Sequence, residues 1–318
     1  MTPAPLQTVA VTGAAGFVGG HLVRHLLGSA EAPNRIVALD LRAVKTSSGA
    51  AFVRCDLTDA DQVREAIADI VPDVVLHLAG VMHCDDLEAC MAINVGACRN
   101  LLAAAAAMPR PPVVLVVGSA AQYGITSGEH EVVDESHPLR GATPYAVSKT
   151  RQEEMAIRLT RETSVPVVCV RPFNLMGPGQ PSCLVPAAFL HQVADVLDGK
   201  AREVCVGNTA TRRDFLDVRD AVAAMWALVR AGEKAHGGVF NIASGEAVLI
   251  QEMLEACIAL AGREIPVRCD RARLKTHDVP TIIGDAARLR AATGWRPSIS
   301  WRRSLADMWA DIRKDRRR

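Results

Sequence analysis

The sequence predicts an α/β fold, a doubly wound parallel sheet covered on both faces by helices, with a smaller mixed α/β cap. Three observations predict it. Short apolar runs alternate with helix-spaced segments through the first half, the pattern of a parallel sheet buried on both sides. The first run ends in the glycine-rich turn Thr12-Gly-Ala-Ala-Gly-Phe-Val-Gly19. After Pro172 the alternation gives way to a stretch crowded with Pro172, Gly177, Pro178, Gly179, Pro181 and Pro186. That stretch reads as a loop-rich departure near the carboxyl ends of strands, where open α/β sheets place ligands.

Strand-like runs occupy 9–12, 35–40, 51–55, 74–78, 113–118 and 165–170, and helices are expected over 19–28, 59–69, 86–107 and 143–163. The run Leu101-Leu-Ala-Ala-Ala-Ala-Ala107 is a strong helix former that stops before Pro109. Beyond the loop-rich stretch come a helix over about 186–198, a segment over 203–206, an Arg-rich turn at 212–214, a helix over 219–231 and a strand over 238–243. The remainder, 246–318, is mixed. The expected division is a sheet domain of 1–172 plus about 214–243, and a substrate cap of about 173–213 plus 244–318. No internal repeat is visible.

A chain of 318 residues suits one large or two intimately joined domains, and 49% hydrophobic residues are ample for a core. The formal charge of +1 gives no field steering toward nucleic acid or membrane, so neither partner is expected. The basic tail Arg313-Lys-Asp-Arg-Arg-Arg318 reads as a solvated terminus. No apolar stretch approaches about 20 uncharged residues, so no membrane span is expected. The N-terminus lacks a charged region followed by an apolar one, so no removable signal is expected. Nine cysteines, with no close C-x-x-C pair, read as buried thiols of a reducing cytoplasm, neither a disulfide frame nor a metal site. His21 and His25 are four apart with no third ligand nearby, so no metal is expected.

The glycine turn points to a dinucleotide. Gly13 permits the turn, Gly16 lets a pyrophosphate approach the backbone, and Gly19 lets the helix pack on the sheet, with Phe17 and Val18 opening that helix. An ordinary strand-to-helix turn is the competing reading. Asp40 ends the second strand about 20 residues past the glycines, where a carboxylate accepts the ribose hydroxyls. Its charge disfavours a 2′-phosphate and points to NAD. Arg42, one residue beyond Leu41, can pair with such a phosphate, so NADP stays open.

Tyr145-Ala-Val-Ser-Lys149 supplies the chemistry. Tyr145 and Lys149 are four apart on one helix face, and a nearby ammonium lowers a tyrosine pKa toward neutrality. Tyr145 is then a usable general acid/base for a carbinol or ketone oxygen. Val113-Val-Leu-Val-Val-Gly-Ser119 is a buried strand ending in a hydroxyl that can bond the same oxygen. Ser119 lacks the G-x-S-x-G setting of an acyl-transfer nucleophile.

The set Thr12-Gly13-x-x-Gly16-x-x-Gly19, Asp56-Leu57, Leu78-Ala79-Gly80, Asn94, Ser119…Tyr123-Gly124 and Tyr145-x-x-x-Lys149 resembles the extended short-chain dehydrogenase/reductases. These form the NAD-dependent epimerase/dehydratase family and act mainly on nucleotide sugars. The resemblance covers nearly the whole chain and implies a Rossmann sheet. It implies that Asp56 and Leu57 contact adenine and that Leu78, Ala79 and Gly80 line the nicotinamide-side ribose. It also implies that Asn94 supports the active-site helix and a water network, and that Lys149 holds the same ribose. Helices matching 86–107 and 143–163 form a four-helix dimer seam in the family, so a homodimer is expected.

In the second half, Arg171-Pro-Phe-Asn-Leu-Met-Gly-Pro-Gly-Gln180, Val185-Pro186, Arg213-Asp-Phe-Leu-Asp-Val-Arg-Asp220, Asn241-x-Ala-Ser-Gly245, Asp278-Val-Pro280 and Thr293-Gly-Trp295 look most like GDP-4-keto-6-deoxy-D-mannose reductases. The resemblance implies that Asn174 and Arg213 hold a diphosphate, chemistry that suits an amide and a guanidinium. A pair between Arg213 and Asp214 or Asp217 is the competing reading. His83, Ser119, Ala120, Tyr145, Val185, Arg273 and Lys275 complete the expected substrate contacts. Two departures stand out. Lys275 occupies a position where relatives carry arginine, with Arg273 nearby, and the stretch from Gly80 to Asn94 is short, with Met82-His83-Cys84. The family's dehydratases follow their Ser/Thr with acids, whereas Ser119 is followed by Ala120-Ala121-Gln122. The expectation is 4-keto reduction of a nucleotide sugar. A nucleotide-sugar 4-epimerase, a dehydrogenase of a non-nucleotide substrate and a non-catalytic NAD-binding sensor are the alternatives.

Overall fold

The computed structural model describes residues 7–43, 49–82, 84, 86–124, 131–273 and 281–317. The chain runs β1 (Thr8–Thr12), α1 (Phe17–Gly28), β2 (Arg35–Asp40), β3 (Ala50–Arg54), α2 (Ala60–Ile70), β4 (Val74–His77), α3 (Leu87–Cys90), a π-helical turn (Met91–Gly96), α4 (Ala97–Ala106), β5 (Val113–Val117), β6 (Glu131–Val133), α5 (Pro144–Glu162), β7 (Val167–Pro172) and β8 (Asn174–Met176). It continues through α6 (Val185–Leu197), β9 (Val204–Val206), β10 (Arg212–Asp217), α7 (Val218–Arg230), β11 (Val239–Ile242), β12 (Ala247–Leu249), α8 (Ile250–Ala259), β13 (Val267–Cys269), β14 (Thr281–Gly284), α9 (Ala287–Thr293) and α10 (Trp301–Asp315).

Seven strands form one parallel sheet in the order β11-β7-β5-β4-β1-β2-β3. The order reverses beside β1, which creates the crevice where doubly wound sheets bind ligands. The strands are apolar on both faces because both are covered. Leu22 and Leu26 of α1, Val222 and Met225 of α7 and Leu289 of α9 pack on one face. Val63 and Ile67 of α2, Leu101 and Ala105 of α4 and Ala156 of α5 pack on the other. Register aligns the strand ends, pairing Thr12 with His77 and Thr12 with Leu39, so the turn-forming residues gather at one edge.

A second sheet has the order β12-β10-β14-β6, with β8 also paired to β10. β6, from the first half of the chain, therefore joins strands from the second half. Behind this sheet, α6, α8 and α10 close their own core around Phe189, Met253, Leu254, Trp301 and Leu305.

Local chemistry explains the helix starts. Asp59 caps α2 by accepting from the N–H groups of Asp61 and Gln62. Thr143 caps α5, its Oγ1 accepting from Ala146 N at 3.1 Å, with Pro144 at the first helical position. That start fixes Tyr145 in the first turn.

Two expectations need correction. The Arg-rich segment at 212–214 opens the strand β10 instead of making a turn. The single helix expected over 86–107 is broken by the π-helical turn, which turns Asn94 fully inward. Among the described residues, Leu87–Ala106 is long and apolar enough to cross a membrane by length and composition. Glu88 and Arg99 interrupt that run, so it is not an uncharged stretch, and part of it is buried inside the protein. Here α4 packs against α2 and α5.

Candidate active site

The glycine turn is built for close approach. Gly13 has φ +67°, and a Cβ there would lie 2.7 Å from Ala79 N. A Cβ at Gly19 would collide with Gly13 O, so the helix sits directly on the turn. Gly16 is the N-cap of α1, and no side chain among the described residues caps it. Its first-turn N–H groups, at the positive end of the helix dipole, face outward for an anion.

Asp40 stands beside this turn. Its Oδ2 accepts from Ala15 N and its Oδ1 from Arg42 N, both at 3.0 Å. Two backbone bonds fix the carboxylate and leave lone pairs for hydroxyl donors. Leu41 is exposed at 53%, and Arg42 is exposed beside it. Asp56, just past β3, accepts from the N–H and Oγ1 of Thr58, and Leu57 is buried. Leu78, Ala79 and Gly80 extend β4 past its end, with Ala79 N donating to Thr12 Oγ1 at 3.2 Å. Bare glycines, unused helix N–H groups and a fixed carboxylate together fit a dinucleotide.

Ser119 caps a short 3-10 turn, Ala120–Tyr123, its Oγ accepting from Ala121 N at 3.1 Å. The Ser119 side chain lies near enough to the buried Tyr145 phenol to act on its ionisation. Lys149, one turn along α5 from Tyr145, donates from Nζ to Val117 O at 2.8 Å and to Gln152 Oε1 at 2.9 Å. Gly80 makes room for it, since a Cβ there would sit 3.3 Å from Lys149 Nζ and 2.7 Å from Asn94 Oδ1. Asn94 accepts from Val81 N at 2.9 Å and donates to Ser148 Oγ at 2.9 Å, which ties the loop after β4 to α5.

The electrostatics differ from expectation in one respect. Burial pushes the Tyr145 phenol above its ordinary value, and the Ser119 side chain pulls the other way. The Lys149 ammonium is aimed at Val117 O and Gln152 instead. Burial brings Lys149 itself down to about 8. His77, fully buried at the end of β4, is pushed down to about 3 by burial and by Lys149. Thr12 Oγ1 accepts from Ala79 N and shares a second hydrogen bond with His77 Nδ1, 2.8 Å away.

On the substrate side, β8 and β10 bring Asn174 opposite Phe215, two residues from Arg213. Asn174 is exposed, and its Nδ2 donates to Asp214 O at 2.9 Å. The competing partners of Arg213 are engaged elsewhere. Asp214 accepts from Ser244, Gly245 and Gly284, and Asp217 accepts from Arg219. Arg213 itself donates to Arg212 O at 2.7 Å. Ala120 is partly exposed next to Ser119, and Val185, exposed at 42%, opens α6. Arg273 ion-pairs with Asp270 at 3.6 Å. His83 and Lys275 lie outside the described residues.

Sequence reasoning missed three features. Gln152 holds Lys149; its position seven residues after Tyr145 on the same helix was the available signal. Gln122 accepts from Ser119 N and is buried. Cys84 and Cys90 are in disulfide contact with Cα atoms 5.7 Å apart, which corrects the reading of all nine cysteines as thiols. The chain folds back between them, and a six-residue separation escapes a search for C-x-x-C. Cys55, Cys98, Cys169 and Cys257 are buried free thiols, whereas Cys183 and Cys269 are exposed. Among the described residues no His/Cys/Asp/Glu group could hold a metal, and His21 Nε2 lies 2.8 Å from Pro178 O.

Comparison with known proteins agrees with this geometry. Residues 9–243 match the model of the NAD dependent epimerase/dehydratase family. GDP-6-deoxy-D-mannose reductase of Pseudomonas aeruginosa is 31% identical over 96% of this chain and 97% of that protein. UDP-glucose 4-epimerase of Bacillus subtilis is 28% identical over 95% of this chain and 96% of that protein. The structure of RMD from Pseudomonas aeruginosa complexed with NADPH superposes with a TM-score of 0.84 at 30% identity, over 97% of this chain and 99% of that one. The glycine cradle, the Ser119–Tyr145 pair and these likenesses together make the chain an enzyme of the NAD dependent epimerase/dehydratase family.

Proposed function

We propose that this enzyme reduces the 4-keto group of a nucleotide sugar, with Tyr145 as general acid, and that its preferred cofactor is NAD. The observation that carries the reading is the placement of Ser119 just past the carboxyl end of β5 and of Tyr145 in the first turn of α5, with the glycine cradle on the same sheet. The cofactor, held by the turn from Gly13 to Gly19, by Asp40, by Leu78–Gly80 and by Lys149, supplies hydride to the keto carbon when bound. Ser119 Oγ orients the carbonyl oxygen, and Tyr145 gives it a proton as charge develops there. A phenol kept above its ordinary value is protonated at neutral pH, which is the form an acid needs. Lys149, its ammonium held by Val117 O and Gln152, serves the nicotinamide-side ribose, and Asn94 holds the α5 backbone through Ser148.

The two residues after Ser119 are alanines. The positions that carry acids in dehydratases therefore have no carboxylate to help remove water, which supports simple reduction. The Ser/Tyr/Lys set serves a 4-epimerase equally well, and the likeness to UDP-glucose 4-epimerase favours that second reading. Cofactor that survives purification and is not consumed separates it from the reductase. A division into sheet domain and cap belongs to this reading, with β6 and β10 in the cap and α9, packed on the main sheet, in the sheet domain. The need for a nicotinamide cofactor supports a cytoplasmic location, and α4 and α5 offer a seam for a homodimer.

Asn174 and Arg213 face the diphosphate in this account. Arg213→Ala raises the substrate KM by roughly 10- to 150-fold while sparing NAD affinity, the worth of one charge-assisted hydrogen bond. Unchanged kinetics, or no binding of any nucleotide sugar by the unmodified enzyme, would transfer the assignment to a dehydrogenase of small substrates.

A further inference from the structure

A buried polar chain runs from the backbone of Ser119 to the helix that carries Tyr145. Ser119 N donates to Gln122 Oε1 at 2.7 Å. Gln122 Nε2 donates to Glu153 Oε2 at 3.1 Å. Glu153 lies on α5, eight residues after Tyr145 and four after Lys149. Arg171 of β7 clamps the Glu153 carboxylate with Nε at 2.9 Å and Nη2 at 2.6 Å. A third bond, from Arg171 Nη1 to Tyr123 OH at 2.9 Å, passes the chain to Asn241 of β11, which accepts from that hydroxyl at 2.6 Å. Gln122, Tyr123 and Asn241 are fully buried, and Glu153 and Arg171 are 6% and 4% exposed.

We infer that Gln122 is a positioning residue: with Glu153 it locks Ser119 to α5, so that the Ser119 and Tyr145 hydroxyls keep one fixed separation. Two features make the link specific. The Gln122 amide occupies the space a side chain at Gly118 would fill, since a Cβ there would run into Gln122 Oε1. The glycine before Ser119 therefore admits the amide that holds Ser119. Glu153 is fixed by two charge-assisted bonds, so the anchor at the α5 end does not drift. Ser119 stands at the end of a strand and Tyr145 at the start of a helix, and Gln122–Glu153 is a side-chain bridge between those two elements. A buried amide between a backbone N–H and a carboxylate fits only one way round, so it fixes register as well as distance.

The inference rests on Ser119 and Tyr145 being the pair that faces the carbonyl, and its test needs no substrate. The chain has two tyrosines, Tyr123 and Tyr145. Protein isotope-labelled at the tyrosine phenol carbon therefore gives two NMR signals, assigned with Tyr145→Phe. Ser119→Ala displaces the Tyr145 signal by removing the neighbouring hydroxyl. Gln122→Leu displaces it in the same direction, and the two changes together move it no further than Ser119→Ala alone. Should Gln122→Leu fail to fold, Gln122→Met carries the test. With a reducible substrate, Gln122→Leu lowers kcat by roughly 10- to 100-fold and leaves KM nearly unchanged, as expected of lost alignment. An unmoved Tyr145 signal in folded Gln122→Leu or Gln122→Met overturns the inference whatever the substrate proves to be. Failure to reduce any nucleotide sugar, with the signals behaving as stated, overturns the substrate assignment alone.

Discussion

Lys149 is gripped by Gln152, its ammonium 2.9 Å from Oε1, in a site where Lys149 is only 5% exposed. Burying a cation is costly, and its value of about 8, against an ordinary 10.5, expresses that cost. A lysine whose folded value is depressed weighs on the fold while it stays charged. The burden is full below about pH 8 and disappears as pH rises through about 8 toward 10.5. Lys149→Met therefore stabilises the protein near pH 7 by about 1–3 kcal/mol, less whatever the lost hydrogen bonds contributed. Calorimetry across pH should show a higher Tm that converges on the unmodified protein in alkali, together with loss of activity. A lower Tm at pH 7 contradicts this.

The proposed preference for NAD is tested at Asp40. Asp40→Ala removes a hydroxyl acceptor and a charge that repels a 2′-phosphate, so NAD weakens by roughly 10-fold and relative use of NADP improves. Fluorescence titration with both reduced cofactors measures it. A strong preference of the unmodified enzyme for NADP would mean that Arg42 outweighs Asp40.

Tyr145→Phe keeps the ring and removes the proton. Turnover falls by roughly two to four orders of magnitude, the usual contribution of a general acid, while NAD binding is retained. Near-normal turnover rejects Tyr145 as the acid.

The dimer is tested by light scattering at micromolar concentration. Apolar residues on more than one face of α4 and α5 predict twice the chain mass, and the mass of a single chain refutes the seam.

The sequence carried the parallel sheet well, because each strand is a short apolar run bounded by a turn. β2 was placed residue for residue, and most other strands of that sheet within a residue or two. It carried the cradle too, since Gly13 and Gly19 answer steric demands that no other residue meets. β10 was hidden because Arg212-Arg213-Asp214 looks like a solvated turn. Asp214 is in fact fully buried, its carboxylate satisfied by Ser244, Gly245 and Gly284. A buried charge with backbone partners far along the chain leaves no periodic trace. The π-helical turn around Asn94, the Cys84–Cys90 contact and the Gln122–Glu153 bridge were illegible for the same reason: each depends on residues meeting in space without a pattern in sequence. The Tyr145 pKa was misjudged because four-residue spacing fixes which face Lys149 shares with Tyr145, not where its flexible ammonium points.

The most direct measurement is the fate of hydride. The enzyme is incubated with a panel of nucleotide 4-keto sugars and cofactor deuterated at the transferring carbon of its nicotinamide, and the sugars are read by mass spectrometry. The account predicts deuterium on the reduced sugar of at least one member, with one cofactor oxidised per sugar reduced and the label absent when Tyr145→Phe replaces the enzyme. Epimerised product with no net cofactor consumption, or no labelled nucleotide sugar from any member of the panel, contradicts it.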